Sequence, residues 1–229
     1  MAYTYNLLVK KIGIFAISPL SSDCLLEKSV QHYKDIDFHI KYNNKTIGLC
    51  EYYNSIINNE KTYDILIFCH HDVSLDYCNL RLQVEEGLKY FDVIGVAGCR
   101  EPRVAEKNLW HWMSSKQHQR GFAAHPISLG SKELFVTAFG PTPDRVAVLD
   151  GVFLALDARK IRGSKARFDE QFLWHHYDID FSLTCNKNKI KLGVWPVFIN
   201  HQSPGLLDVN NVEWNRSNKA FIEKWTKQA

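Results

Sequence analysis

Apolar residues in this chain fall into short dense runs separated by amphipathic stretches. Ile12 to Ile17, closed by Ser18-Pro19, reads as a buried strand ending in a turn. Asp23 to Tyr33 reads as a helix, and Ile36 to Tyr42 alternates like a strand with one wetter face before the turn Asn43-Asn44-Lys45. That order predicts a right-handed crossover and a parallel pair. From Thr46 to Glu60 the spacing of Ile47, Cys50, Tyr53, Ile56 and Ile57 fits one helix face, and Ile65 to Cys69 has the continuous apolar character of a strand covered on both sides. Leu80 to Tyr90 predicts another amphipathic helix, and Val93 to Gly98 a short buried strand with two glycines. Cys99 to Arg145 shows little periodicity and reads as a long aromatic, cationic loop. Val146 to Leu156 resumes strand character, interrupted at Asp150-Gly151. Trp174 to Leu183 opens a helix, Lys191 to His201 is a last strand, and Asn211 to Lys227 a helical tail packed on the body.

At 229 residues and 45% hydrophobic content the chain can bury one sizeable core, which predicts a single domain. Its halves are residues 10–98 and 99–205, with a tail over 206–229. Six cysteines without paired spacing suit reduced, buried thiols better than a disulfide framework or zinc cluster, and so a cytoplasmic setting. No cleavable signal pattern opens the chain, and no apolar run approaches the roughly 18 to 20 residues that span a bilayer. The net charge of +3 favours an anionic small ligand or weak polyanion contact, and is too small to argue for nucleic acid alone.

The apolar run 65–69 ends abruptly in His70-His71-Asp72, where open α/β sheets place their ligands. Taken alone, this is either the rim of a site or a surface turn whose Asp72 caps a helix. Asp150 beside Gly151 in an apolar strand needs a partner, because an unpaired buried charge is costly. Asp178 and Asp180 diverge by about 200° on a helix, so one faces a cleft while the other caps the helix or binds a neighbouring loop. Asp72 and His201 offer a carboxylate and an imidazole to a divalent ion. With two diphosphate oxygens they complete most of an octahedral shell for Mn²⁺ or Mg²⁺. Trp110 and Trp112 offer aromatic faces to a sugar or base, or else plug the core beneath the loop. The sequence has no GxxxxGK[ST] loop and no GxGxxG fingerprint.

The order His70-His71-Asp72, Leu149-Asp150-Gly151, Tyr177-Asp178-Ile179-Asp180 and Asn200-His201, with Asn54 on the helix before the first motif, resembles the family 2-like branch of the GT-A glycosyltransferases over roughly residues 10 to 205. The resemblance implies an α/β fold of the GT-A (nucleotide-diphospho-sugar transferase) type, a central mostly parallel sheet flanked by helices. It implies an inverting, metal-dependent transfer of a sugar from a nucleotide-sugar (UDP-, GDP- or dTDP-linked) to a hydroxyl. The acceptor would be a glycan, a lipid-linked glycan, a protein or a polyanion such as DNA with hydroxylated bases. On this reading the metal ligands are Asp72, His201 and His70, and the catalytic carboxylates Asp178, Asp150 and Asp180. Ser18, Asn43, Asn54, His70, His71 and Arg100 contact the donor, and Trp110, Trp112, Gly151 and His176 the acceptor. The sequence departs from the family pattern in three places: His70 stands for the first carboxylate of the metal motif, Tyr177 for the glutamate before the base, and Tyr42-Asn43 for an acidic pair. Two other readings fit the same motifs, a non-catalytic nucleotide-sugar or glycan-binding module and a nucleotide-sugar hydrolase.

Overall fold

In the computed structural model, which describes residues 9–42, 47–75, 79–128, 131–203 and 211–227, the apolar runs pair into two mixed sheets. The first part follows the predicted alternation. β1 (Ile12–Ile17), α1 (Leu25–Val30), β2 (Asp37–Lys41), α2 (Leu49–Asn59) and β3 (Ile65–Cys69) make two crossovers, with β1 parallel to both β2 and β3. Next come β4 (Val73–Ser74), α3 (Leu80–Tyr90), β5 (Val93–Gly95) and β6 (Ala97–Cys99). They are followed by β7 (Gln119–Pro126), β8 (Leu134–Gly140), β9 (Asp144–Arg145), β10 (Val148–Leu149) and β11 (Phe153–Asp157). The chain closes with α4 (Ala158–Arg162), α5 (Tyr177–Lys187), β12 (Leu192–Val194), β13 (Asn200–His201) and α6 (Val212–Thr226).

The larger sheet runs β2-β1-β3-β11-β5-β12-β9, the smaller β10-β6-β7-β13-β4 with β8 beside β7. The expectation of a mostly parallel sheet is corrected. β11 enters the larger sheet antiparallel to both β3 and β5, and β9 lies antiparallel to β12, so the sheet is mixed. Three runs that read as single strands are each split between the sheets: 93–98 at Val96, 146–156 at residues 150–152, and 191–201 between Val194 and Asn200. The break in 146–156 falls at the interruption Asp150-Gly151, whereas 93–98 is buried from end to end and its hydrophobic pattern passes through Val96 unmarked.

The stretch 99–145 is not one irregular loop, since it contains the antiparallel β7–β8 pair. Its register shifts at Gly121, whose φ of +92 and whose close approach to the Val96 carbonyl exclude a side chain.

α2 packs on the larger sheet, and α5 on the loop before it, through aromatic stacks. The Tyr53 and Phe68 rings lie 4.1 Å apart and nearly parallel, and Phe168 stacks on Phe181 at 3.9 Å. On α6, Trp214 and Phe221 are buried. Cys24, Cys50, Cys69, Cys99 and Cys185 are buried free thiols. Among the described residues no helix is long and apolar enough to cross a membrane.

Candidate functional site

β3 is buried on both faces and ends at Cys69; the next three residues turn out of the sheet and carry His70, His71 and Asp72 to its carboxyl edge. Three backbone bonds fix this turn. The His70 N–H donates to the Val152 carbonyl at 3.1 Å, the Leu26 N–H to that of His71 at 3.0 Å, and the Gln202 N–H to that of Asp72 at 2.9 Å. Immediately after it, β4 pairs antiparallel with β13, with His201 opposite Val73. That pairing brings His201 to Asp72 from 129 positions further along the chain.

His70, Asp72 and His201 present ligand atoms that all lie within 4.8 Å of one another. Asp72 Oδ1 is 3.4 Å from His201 Nε2 and 4.0 Å from His70 Nδ1. This oxygen is buried and has no hydrogen-bond partner among the described residues. Burial works against the Asp72 carboxylate, but His201 and His70 outweigh it and hold its pKa below the ordinary value. Burial, and then His201, hold the His70 pKa down, so its ring is neutral and free to ligate near neutral pH.

A second group lies across the turn that joins β10 to β11. Asp150 accepts from Trp110 Nε1 at 2.7 Å through Oδ2 and from the Val152 N–H at 2.9 Å through Oδ1. The Gly151 N–H donates to Asp178 Oδ2 at 3.0 Å. Asp178, half-buried in the first turn of α5, has its pKa pushed up to about 7 by burial and then by the neighbouring Asp150 charge. Gly151 admits no side chain, because a Cβ there would lie 2.2 Å from the Tyr177 hydroxyl and 2.8 Å from Asp178 Cβ.

Between β1, α2 and the His70 turn lies a cleft of about 360 Å³. One side is apolar, formed by Ile17, Pro19, Leu49 and Tyr53; His70, His71 and Asp72 form the polar end, and Trp174 and Tyr177 complete the wall. The sequence carries no signal for Tyr53 and Trp174 at this cleft: Tyr53 falls on the apolar face of a helix, and Trp174 falls in a stretch that reads as the opening of a helix but precedes α5.

Several residues named from the sequence lie elsewhere or are otherwise engaged. Asp180 is fully buried against α6, accepting from Trp225 Nε1 at 2.8 Å and from Lys224 at 2.9 Å, which removes it from the catalytic group. Asn54 spends its amide latching the turn before α5, donating to the Phe168 carbonyl and Glu170 and accepting from the Phe168 N–H, so the donor-contact assignment is corrected to a structural one. His176 is buried between α5 and α6, with Nδ1 2.9 Å from Ser217 Oγ and its ring against Trp214 and Phe221, outside the cleft lining. Ser18 is buried and its hydroxyl accepts from the Leu20 N–H. Arg100 is exposed and pairs with Asp144 at 3.8 Å, outside the cleft lining. Trp110 is buried and reaches the site through Asp150, whereas Trp112, 43% exposed, borders a separate groove with Arg103 and His118. Asn43 lies outside the described residues.

Neither a protein-family model nor a curated protein sequence matches the chain. Solved structures do. The crystal structure of GalNAc-T7 with UDP, GalNAc and Mn²⁺ aligns with 96% of this chain and 49% of that one, at a TM-score of 0.54 and 10% identity. The present chain thus spans about half of that protein's length. The crystal structure of A197 from STIV aligns with 88% of this chain and 99% of that one, at a TM-score of 0.46 and 12% identity. The likeness to GalNAc-T7, a GT-A glycosyltransferase, makes the fold GT-A-like.

Proposed function

We propose that this protein is a divalent-cation-dependent, inverting glycosyltransferase of the family 2-like type, moving a sugar from a nucleoside diphosphate to an acceptor hydroxyl. The observation that carries the reading is Asp72 Oδ1. It is buried, makes no hydrogen bond of good geometry, faces the imidazoles of His201 and His70 at 3.4 and 4.0 Å, and belongs to a residue that lines a cleft of about 360 Å³. An orphaned anionic oxygen is costly to bury, and a cation relieves it. The mixed nitrogen and oxygen set fits Mn²⁺ better than Mg²⁺, which prefers oxygen alone. His70, Asp72 and His201 would hold the ion, and its charge would stabilise a departing diphosphate.

The apolar side of the cleft suits a nucleobase, and its polar end the phosphates. Asp178 is the general base in this reading. Its pKa near 7 matches proton removal from a hydroxyl at neutral pH, and the Gly151 N–H aims Oδ2. Asp150, anchored by Trp110 and the Val152 N–H, raises the Asp178 pKa.

Calorimetry of UDP, GDP and dTDP with Mn²⁺ and with EDTA tests the donor site. One nucleotide should bind at least tenfold more tightly with Mn²⁺, and equal affinity under both conditions would overturn the metal role. The selected donor is then incubated with and without acceptor hydroxyls. Free sugar released at the full rate without acceptor would make the protein a hydrolase.

A further inference from the structure

Tyr177 stands where the resembling family carries a glutamate, and its hydroxyl joins the two halves of the site. The oxygen lies 2.8 Å from His70 Nε2 and 3.1 Å from the Gly151 carbonyl oxygen, in a side chain only 4% exposed. A phenol carries one proton at neutral pH. A carbonyl oxygen only accepts, so that proton belongs to the Gly151 carbonyl, and the tyrosine oxygen is left as an acceptor. His70 Nε2 must then carry a hydrogen. In the neutral ring Nδ1 keeps its lone pair, and Nδ1 is the atom facing Asp72 and His201.

We propose that Tyr177 is a positioning residue that locks His70 in the Nε2–H tautomer and so presents Nδ1 to a divalent cation, an inference that rests on His70 being a ligand. Nothing else among the described residues is placed to hold the ring this way, since His70 Nε2 has Tyr177 as its hydrogen-bond partner. The same Gly151 peptide that takes the tyrosine proton on its carbonyl side gives its N–H to Asp178. One rigid turn therefore orients both a cation ligand and the carboxylate assigned as base. A glycine is obligatory at its centre because a Cβ would collide with the tyrosine oxygen. The rival arrangement, with Tyr177 donating to His70, puts the hydrogen on Nδ1 and closes that atom to a cation.

Two measurements on the whole chain decide between them. Long-range ¹H–¹⁵N spectra of the metal-free, ¹⁵N-histidine-labelled protein should show His70 as Nε2–H, with the assignment lost or mixed in Tyr177→Phe. Calorimetry with Mn²⁺ in the presence of UDP should show Tyr177→Phe binding the ion about 10 to 100-fold more weakly, the usual worth of a residue that orients a metal ligand. In a His70→Ala background the same tyrosine change should move Mn²⁺ affinity less than about twofold, because its effect passes through the histidine. A purely packing role would leave the two losses additive, and that outcome overturns the proposal. An Nδ1–H tautomer overturns it with the metal reading intact. An Nε2–H tautomer in a wild-type protein that takes no Mn²⁺ overturns the metal reading beneath it.

Discussion

Asp178 and Asp180, two residues apart on α5, should fail in opposite ways when each is changed to asparagine. Asp178 has a folded-state pKa of about 7 against an ordinary value near 4, so it adds stability only while protonated. That contribution is whole below about pH 4 and is lost as the pH rises through 7. Holding the ionised form at pH 8 therefore costs the fold up to ~4 kcal/mol, less whatever is screened by the solvent that reaches this half-buried group. Asp178→Asn keeps an oxygen for the Gly151 N–H and removes the charge, so its melting temperature at pH 8 should equal or exceed that of the wild type. Its transfer rate under saturating donor should fall about 10² to 10⁴-fold, the worth of a general base. Asp180 has no solvent contact; burial holds its pKa above the ordinary value, and Lys224 and the Trp225 indole offset that only in part, yet both lose their acceptor charge if it is removed. Asp180→Asn breaks a buried pair that Asp169 only partly replaces for Lys224, at a cost of ~3 kcal/mol or about 6 to 12 °C in a chain of this size. Below its melting transition that variant should turn over at nearly the wild-type rate. The measurements are differential scanning calorimetry at pH 8 and initial rates at a temperature where both variants are folded. An inactive Asp180→Asn with an unchanged melting temperature, beside an active Asp178→Asn, would refute the assignment of base and scaffold.

Three further outcomes are expected. Asp72→Ala should abolish the difference between Mn²⁺ and EDTA in nucleoside diphosphate binding, read by calorimetry, because it removes the oxygen both histidines face. The wild-type rate should rise with pH through an apparent pKa near 7 as Asp178 loses its proton, while the residual rate of Asp178→Asn stays flat over the same range. Gly151→Ala should lower stability by several kcal/mol and leave little transfer, since a Cβ would press on Tyr177 and Asp178 together; a melting temperature within about 2 °C of wild type would contradict the packing of that turn.

The first half of the fold was legible because its signals are local. The runs 12–17 and 65–69 are apolar throughout, and the helix spacing over 46–60 and 80–90 places α2 and α3 to within a few residues. The divergence of Asp178 from Asp180 likewise follows from helix geometry alone. What periodicity could not supply was the second sheet. Val93 to Cys99 is buried from end to end, yet its two halves hydrogen-bond to different neighbours, and nothing in the side chains marks Val96 as the crossing. The β7–β8 pair was hidden for a related reason. β8 is an edge strand with Phe135 and Val136 exposed, so its faces carry no clean alternation. Asn54, His176 and Asp180 were misassigned because a polar residue near a motif reads as chemistry until its partners are known, and each has a partner distant in sequence.

The same crossings account for where the candidate chemistry lies. Residues 70–72 join β3 to β4, 150–152 join β10 to β11, and the chain between β12 and β13 delivers His201; each passes from one sheet to the other. At such a passage the backbone leaves one ladder before joining the next, and its amides and carbonyls are free to bind side chains. The His70 N–H takes the Val152 carbonyl, the Gly151 N–H takes Asp178, and the Gly151 carbonyl takes Tyr177. The polar side chains at these points are therefore fixed by backbone contacts across the seam between the sheets. A substitution at the seam should perturb both the cation cluster and the Asp150–Asp178 pair, even though no described contact joins those groups directly.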